Sequence, residues 1–289
     1  MRFAVRHKWA TSLAFRRLVV GAVLVATACG ATRDTVRAQN RLDIARDLLG
    51  KGEAIAAEAE VKRAVVYDPE NEEAQNLLGL ISVWRAQENA QLMEKSDCLS
   101  AEDAAALRAQ ADEHMRAAGA YFDRATVLAP TYGEAWANRA VVAMYFHDWD
   151  RAIELGKQAL SNLERLESPA LAHANLGWAY HQKQDQVLAV TELLQANQGP
   201  SYFCLGKYRL ASVYFARKEF DKTTEALAPI FADDRLCPPL QEAQYLGGQA
   251  YLRLRDRDAA ARAFNSCVAM APRSCQAREC QKALAEVAP

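Results

Sequence analysis

Seven cysteines and five histidines are the side chains of this 289-residue chain best suited to hold a metal, exchange electrons or attack a substrate. Such chemistry needs a second thiol, a base or a carboxylate at a short, fixed spacing. Cys275 and Cys280 are five residues apart, the wrong spacing for a redox pair, and no Cys-x-x-Cys occurs. His173 and His181 are eight apart with no carboxylate pair at ligand spacing, which favours structural histidines over a metal site. GxSxG, HExxH and glycine-rich phosphate loops are all missing. The reading is therefore of a chain that is not an enzyme, with no metal, no cofactor and no small-molecule substrate.

Cys29 stands in a different setting. Arg2, Arg6, Lys8, Arg16 and Arg17 form a basic start, and Leu18 to Ala28 form an apolar stretch of 11 residues, too short to span a bilayer as a stable helix. Ala28 followed by Cys29 resembles the lipobox of bacterial lipoproteins, although Ala26 stands where that box usually has Leu. The resemblance implies acylation of the Cys29 thiol (a palmitate-type anchor) and removal of residues 1–28 as a signal peptide, leaving 29–37 as lipidated cysteine and tether. Gly30 and Ala31 replace the Asp that retains such lipoproteins in the inner membrane, which implies the periplasmic face of the outer membrane. The alternative is an ordinary signal peptide with a chance cysteine. The Arg16-Arg17 pair lacks the flanking residues of a twin-arginine signal.

With 51% hydrophobic and 25% charged residues, the chain has the composition of a globular protein. Without the five basic residues of the leader, 30 Lys and Arg face 36 Asp and Glu, a formal charge of −6. A mildly acidic body argues against nucleic acid as a partner, because phosphates demand clustered Lys and Arg.

Small residues recur along the chain at two fixed places. One series is Ala45, Gly79, Ala140, Gly177, Ala211 and Gly248; the other is Ala57, Ala118, Ala152, Ala189, Thr223 and Ala260. In five of the six pairs the members are 12 residues apart, and in the second pair they are 39 apart. Two antiparallel helices approach closely only where one presents a small side chain, so each pair marks a helical hairpin. Pro69, Pro130 and Pro272 close second helices. Around these markers, Leu78-Gly79, Asn175-Leu176-Gly177-x-x-Tyr180 and Gly248-x-x-Tyr251, with Phe122 and Phe264 four residues after Ala118 and Ala260, resemble the tetratricopeptide pattern. The resemblance implies an all-α, right-handed superhelical solenoid of about six hairpins with a C-terminal capping helix.

The solenoid is expected over 38–287, with hairpins at about 38–71, 72–132, 133–169, 170–203, 204–240 and 241–274 and a cap over 275–287. An excess of 27 residues in the second hairpin reads as an insertion over 89–108 that lengthens it.

Cys204 and Cys237 precede the first helices of consecutive hairpins, so stacking brings them to one end of the array and predicts a disulfide, the alternative being that the cysteines are all small buried apolar residues. Cys267 lies late in the last second helix, against which the cap must pack, and pairs with Cys280, or with Cys275 as the alternative; Cys98 reads as unpaired. Residues of first helices that point away from their own second helix line the concave face. These are Leu42 and Leu49 in the first hairpin, Leu80, Val83 and Trp84 in the second, Val141, Met144 and Tyr145 in the third, then Trp178 and Tyr208. Such a stripe suits an apolar helix or strand, unless the insertion or the curvature buries it.

A lipobox for the outer membrane followed by about six such hairpins resembles the pilotins of type IV pilus secretins, the PilF/PilW/Tgl-like lipoproteins. That resemblance implies a protein that binds a secretin subunit and promotes its insertion and multimer assembly in the outer membrane. The long second hairpin and the additional cysteines depart from the family pattern. A lipoprotein adaptor for cell-wall hydrolases or for outer-membrane protein assembly would use the same scaffold with other partners.

Overall fold

The small residues that repeat along the sequence lie where helices meet: all twelve are buried. In the computed structural model, which describes residues 34–95, 101–199, 203–232, 237 and 240–287, the regular structure of the described residues is helical throughout. Helix α1 runs over 34–50, followed by α2 (Ala54–Tyr67), α3 (Glu72–Lys95), α4 (Ala101–Leu128), α5 (Gly133–Tyr145) and α6 (Trp149–Leu160). A short 3-10 turn, Leu163–Arg165, leads to α7 (Pro169–Gln182), α8 (Gln186–Ala196), α9 (Cys204–Ala216), α10 (Phe220–Ala232), α11 (Gln241–Arg253), α12 (Arg257–Met270) and α13 (Cys275–Val287). Helices α2, α4 and α12 each stop two residues before a proline, where the pyrrolidine ring disfavours helical backbone in the residue ahead of it. Among the described residues, no helix is long and apolar enough to cross a membrane.

The chain forms two compact units that meet in sequence between Ala74 and Gln75. The first contains the α1–α2 hairpin. Its turn passes through Gly52 at φ 78°, and Arg41 pairs with Glu60 at 3.1 Å across it. Residues 34–37, which the sequence leaves to the tether, already belong to α1. Asp34 sits at its start, where a carboxylate is stabilised by the helix dipole, and pairs with Arg37 one turn on at 4.0 Å. Cys29 and the rest of the leader and tether lie outside the described residues, as does Cys98.

In the second unit, first helices pack in succession, α5 on α7, α7 on α9 and α9 on α11, while each also packs on its own second helix. Helix α13 covers α12 and α11. The hairpin turns repeat one device: His147, Gln184, Lys218 and Arg255 adopt left-handed backbone at φ 59°, 65°, 62° and 63°. Each stands seven residues after its first-helix marker, as Gly52 does after Ala45. A left-handed non-glycine residue costs about 1 kcal/mol. The residue that follows offsets this in three cases, because Asp148, Asp185 and Asp256 accept the amides of Arg151, Leu188 and Ala259 at 3.1, 3.1 and 2.9 Å. In the second hairpin the corresponding position is Ala86, which stays helical, so α3 and α4 extend to 24 and 28 residues.

Two disulfides tie the C-terminal half. Cys204 is joined to Cys237 and Cys267 to Cys280, and Cys275 lies exposed outside both bonds. The first stands within the buried cluster of Ala211, Leu227, Ile230 and Ala243; the second within that of Ala260, Phe264, Ala283 and Val287.

Candidate functional site

The extended part of the second hairpin builds a wall. Ala111 and Met115 of α4 are buried against Ala86 of α3, with Val83, Val142 and Tyr145 packed around them. Beside this cluster opens a cavity of about 890 Å³, lined by Val83, Ala86 and Gln87 of α3, Arg108, Ala111, Asp112 and Met115 of α4, and Val141, Met144 and Tyr145 of α5. Phe146 and His147 from the α5–α6 turn, Trp149 at the start of α6 and Trp178 of α7 complete the lining.

Aromatic side chains give this lining its shape. Tyr145 and Phe146 meet edge to face at 5.0 Å, His147 lies 5.2 Å from Trp149, and Trp178 lies 5.1 Å from His181. Polar groups are few and hold the wall in place. The Tyr145 hydroxyl donates to Asp112 Oδ1 at 2.8 Å, which binds α5 to α4, and Arg116 stands 5.5 Å over the Phe146 ring. Burial pushes the Tyr145 phenol up, and the hydrogen bond and charge of Asp112 act in the same direction. At neutral pH this phenol stays protonated and donating.

The structure brings together Val83, Val141, Met144, Tyr145 and Trp178 of the sequence-predicted stripe. Trp84 is 39% exposed, and Leu80 and Leu49 are half-buried; none of the three lines the cavity. Leu42 is not open to a partner, and the half-buried Tyr208 does not line the cavity. Leu42 is fully buried, because Ala38, Leu42 and Ala45 stand at i, i+4 and i+7, so that leucine extends the stripe α1 buries. Cys204, Tyr208 and Ala211 repeat that spacing, and Tyr208 packs into the cluster around the Cys204–Cys237 disulfide. Sequence reasoning missed Met115, Asp112, Phe146 and Trp149. The signal for the first two was the length of the second hairpin: a helix of 28 residues must overhang the 13-residue helix beside it.

Elsewhere the histidines are held in place by neighbours, His173 Nδ1 at 2.7 Å from Glu192 and His181 Nδ1 at 3.0 Å from Gln186. Among the described residues, no group of three His, Cys, Asp or Glu side chains could hold a metal ion. The arrangement is a mainly apolar, aromatic trough with a few polar lining residues, suited to covering a hydrophobic polypeptide segment.

No model of a known protein family matches the chain, and no curated protein matches it in sequence. Solved structures do match. One is PilW, a widely conserved type IV pilus biogenesis factor, at a TM-score of 0.61 and 16% identity, covering 84% of this chain and 97% of that one. The fold is a tetratricopeptide-type solenoid. PilF of Pseudomonas aeruginosa matches at a TM-score of 0.61 and 15% identity over 86% of this chain and 98% of that one. The APC/C hetero-tetramer Cut9–Hcn1 matches at 0.54 and 20% identity, covering 83% of this chain but 48% of that one. Identities this low speak to the fold alone.

Proposed function

We propose that this chain is a lipid-anchored scaffold of type IV pilus biogenesis that acts as a pilotin: it binds an apolar segment of a secretin subunit and promotes that subunit's insertion and multimer assembly in the outer membrane. The observation that carries the reading is the trough formed by Val83, Met115, Val141, Met144, Tyr145 and Trp178. A secretin subunit must keep membrane-destined segments from aggregating while it crosses the periplasm. An apolar trough shields such a segment, and an acyl chain on Cys29 would deliver it to the target membrane. The likeness of fold to PilW and PilF supports the same assignment. No chemistry on the client is needed, and none is assigned.

The test is an immunoblot for heat-resistant secretin multimers in cells lacking the protein and in cells carrying Cys29→Ala. Loss of multimers with monomer still present is the expected result. Normal multimers and normal pili in the deletion strain would sink the proposal and leave the cell-wall adaptor as the reading to pursue.

A further inference from the structure

Arg209 of α9 lies beside the trough, its guanidinium held by two neutral partners. Its Nη1 donates to Oδ1 of Asn175 at 2.7 Å, and its Cζ stands 5.7 Å from the centre of the Trp178 ring. Both partners are neutral. Among the described residues no carboxylate pairs with it, whereas Arg139, likewise half-buried on a first helix, pairs with Asp123 at 2.5 Å. Burial pulls the Arg209 guanidinium down to about 10, so it remains a cation at neutral pH while losing part of its hydration. One of its five N–H groups serves Asn175, and a guanidinium fork is shaped to receive a carboxylate through two of them.

We infer that Arg209, held by Asn175 and Trp178, is a carboxylate subsite that receives an acidic side chain of the same polypeptide segment that fills the apolar trough. Trp178 links the two parts, since its ring lines the cavity and also carries the guanidinium. The line of first helices continues past α9 to α11, so the segment need not end there. The partner is therefore a segment with an apolar run and an Asp or Glu displaced to one side of it. This inference rests on the trough being a polypeptide-binding site.

A random-peptide phage library panned over the full chain, and over its Arg209→Gln and Met144→Asp variants, tests both layers, with circular dichroism confirming that each variant is folded. The wild type should enrich apolar peptides carrying an acid at a fixed spacing, Arg209→Gln apolar peptides without it, and Met144→Asp neither. A synthetic copy of an enriched peptide should lose about tenfold or more in affinity when its acid becomes the amide, or when Arg209 becomes Gln, with no further loss on combining the two changes. Apolar peptides with no acidic preference, or an acidic preference that survives Arg209→Gln, would overturn the carboxylate subsite and leave the trough standing. Failure to enrich any peptide would overturn the trough and the subsite together.

Discussion

The ring of Phe122 in α4 packs on the backbone of Gly79 in α3 so closely that a Cβ on that glycine would stand 2.4 Å from Cε1. Phe264 meets Gly248 in the same way, again at 2.4 Å, and each Phe follows its second-helix marker by four residues. Both rings are fully buried and have nowhere to move. Replacing a helical Gly by Ala ordinarily gains up to about 1 kcal/mol. Here overpacking outweighs the gain, and Gly79→Ala and Gly248→Ala should each destabilise by about 1–3 kcal/mol. Phe122→Ala should cost about 3–5 kcal/mol alone, and less in the presence of Gly79→Ala, because the added methyl then enters vacated space. Urea titrations of the single and double variants measure this, and strict additivity would contradict the contact.

The disulfides should differ in worth. Cys204–Cys237 closes 33 residues and Cys267–Cys280 closes 13. On the loop-entropy account these contribute about 4 and about 3 kcal/mol. Denaturant midpoints of the two double-Ala variants, compared with the fully reduced wild type, should show the larger loss for the Cys204/Cys237 pair. The reverse order would mean that packing around the sulfurs, not chain entropy, sets the scale.

Glu134, in the first turn of α5, accepts the amide of Glu167 at 3.0 Å and so pins the segment ahead of α7. Burial pushes its carboxyl up, which the hydrogen bond only partly opposes. Its folded value lies above the unfolded one, so the native state binds more protons in that window, and its contribution is present at low pH and lost as pH rises through the folded value. Glu134→Gln keeps the acceptor and removes the charge. This variant should lose stability less steeply than wild type as pH rises from about 4 to 7. Unfolding midpoints at several pH values decide it, and parallel curves would show that Glu134 carries no burial penalty.

The hairpins were legible because their physics is local. A small residue is required wherever backbones come close, and Ala45, Gly79, Ala140, Gly177, Ala211 and Gly248 all proved buried. The turns were less so: His147, Gln184, Lys218 and Arg255 share a backbone conformation but no side-chain chemistry, so only the distance from the marker betrays them. Leu42 was misplaced because a residue three places before the marker sits on the edge of its stripe, where burial depends on the neighbouring helices. The wall from α4 depends on how far the long helix overhangs α5, which no periodicity records.

The trough itself can be probed with charges placed inside and outside it. Val141 and Met144 are half-buried and line the cavity, so a carboxylate there can still reach water but would strip an apolar occupant of its contacts. Val141→Asp and Met144→Asp should change stability by only about 1 kcal/mol, yet weaken capture of a purified secretin subunit tenfold or more, as expected for residues at the centre of an interface. Trp84 is 39% exposed and does not line the cavity, so Trp84→Asp should leave capture within about twofold of wild type. Secretin pull-downs with all three variants, alongside their thermal midpoints, separate the cases. If Trp84→Asp proved as damaging as Met144→Asp, the partner would lie along the outer face of α3, and the aromatic residues of the trough would be packing for the α4 wall rather than a binding surface.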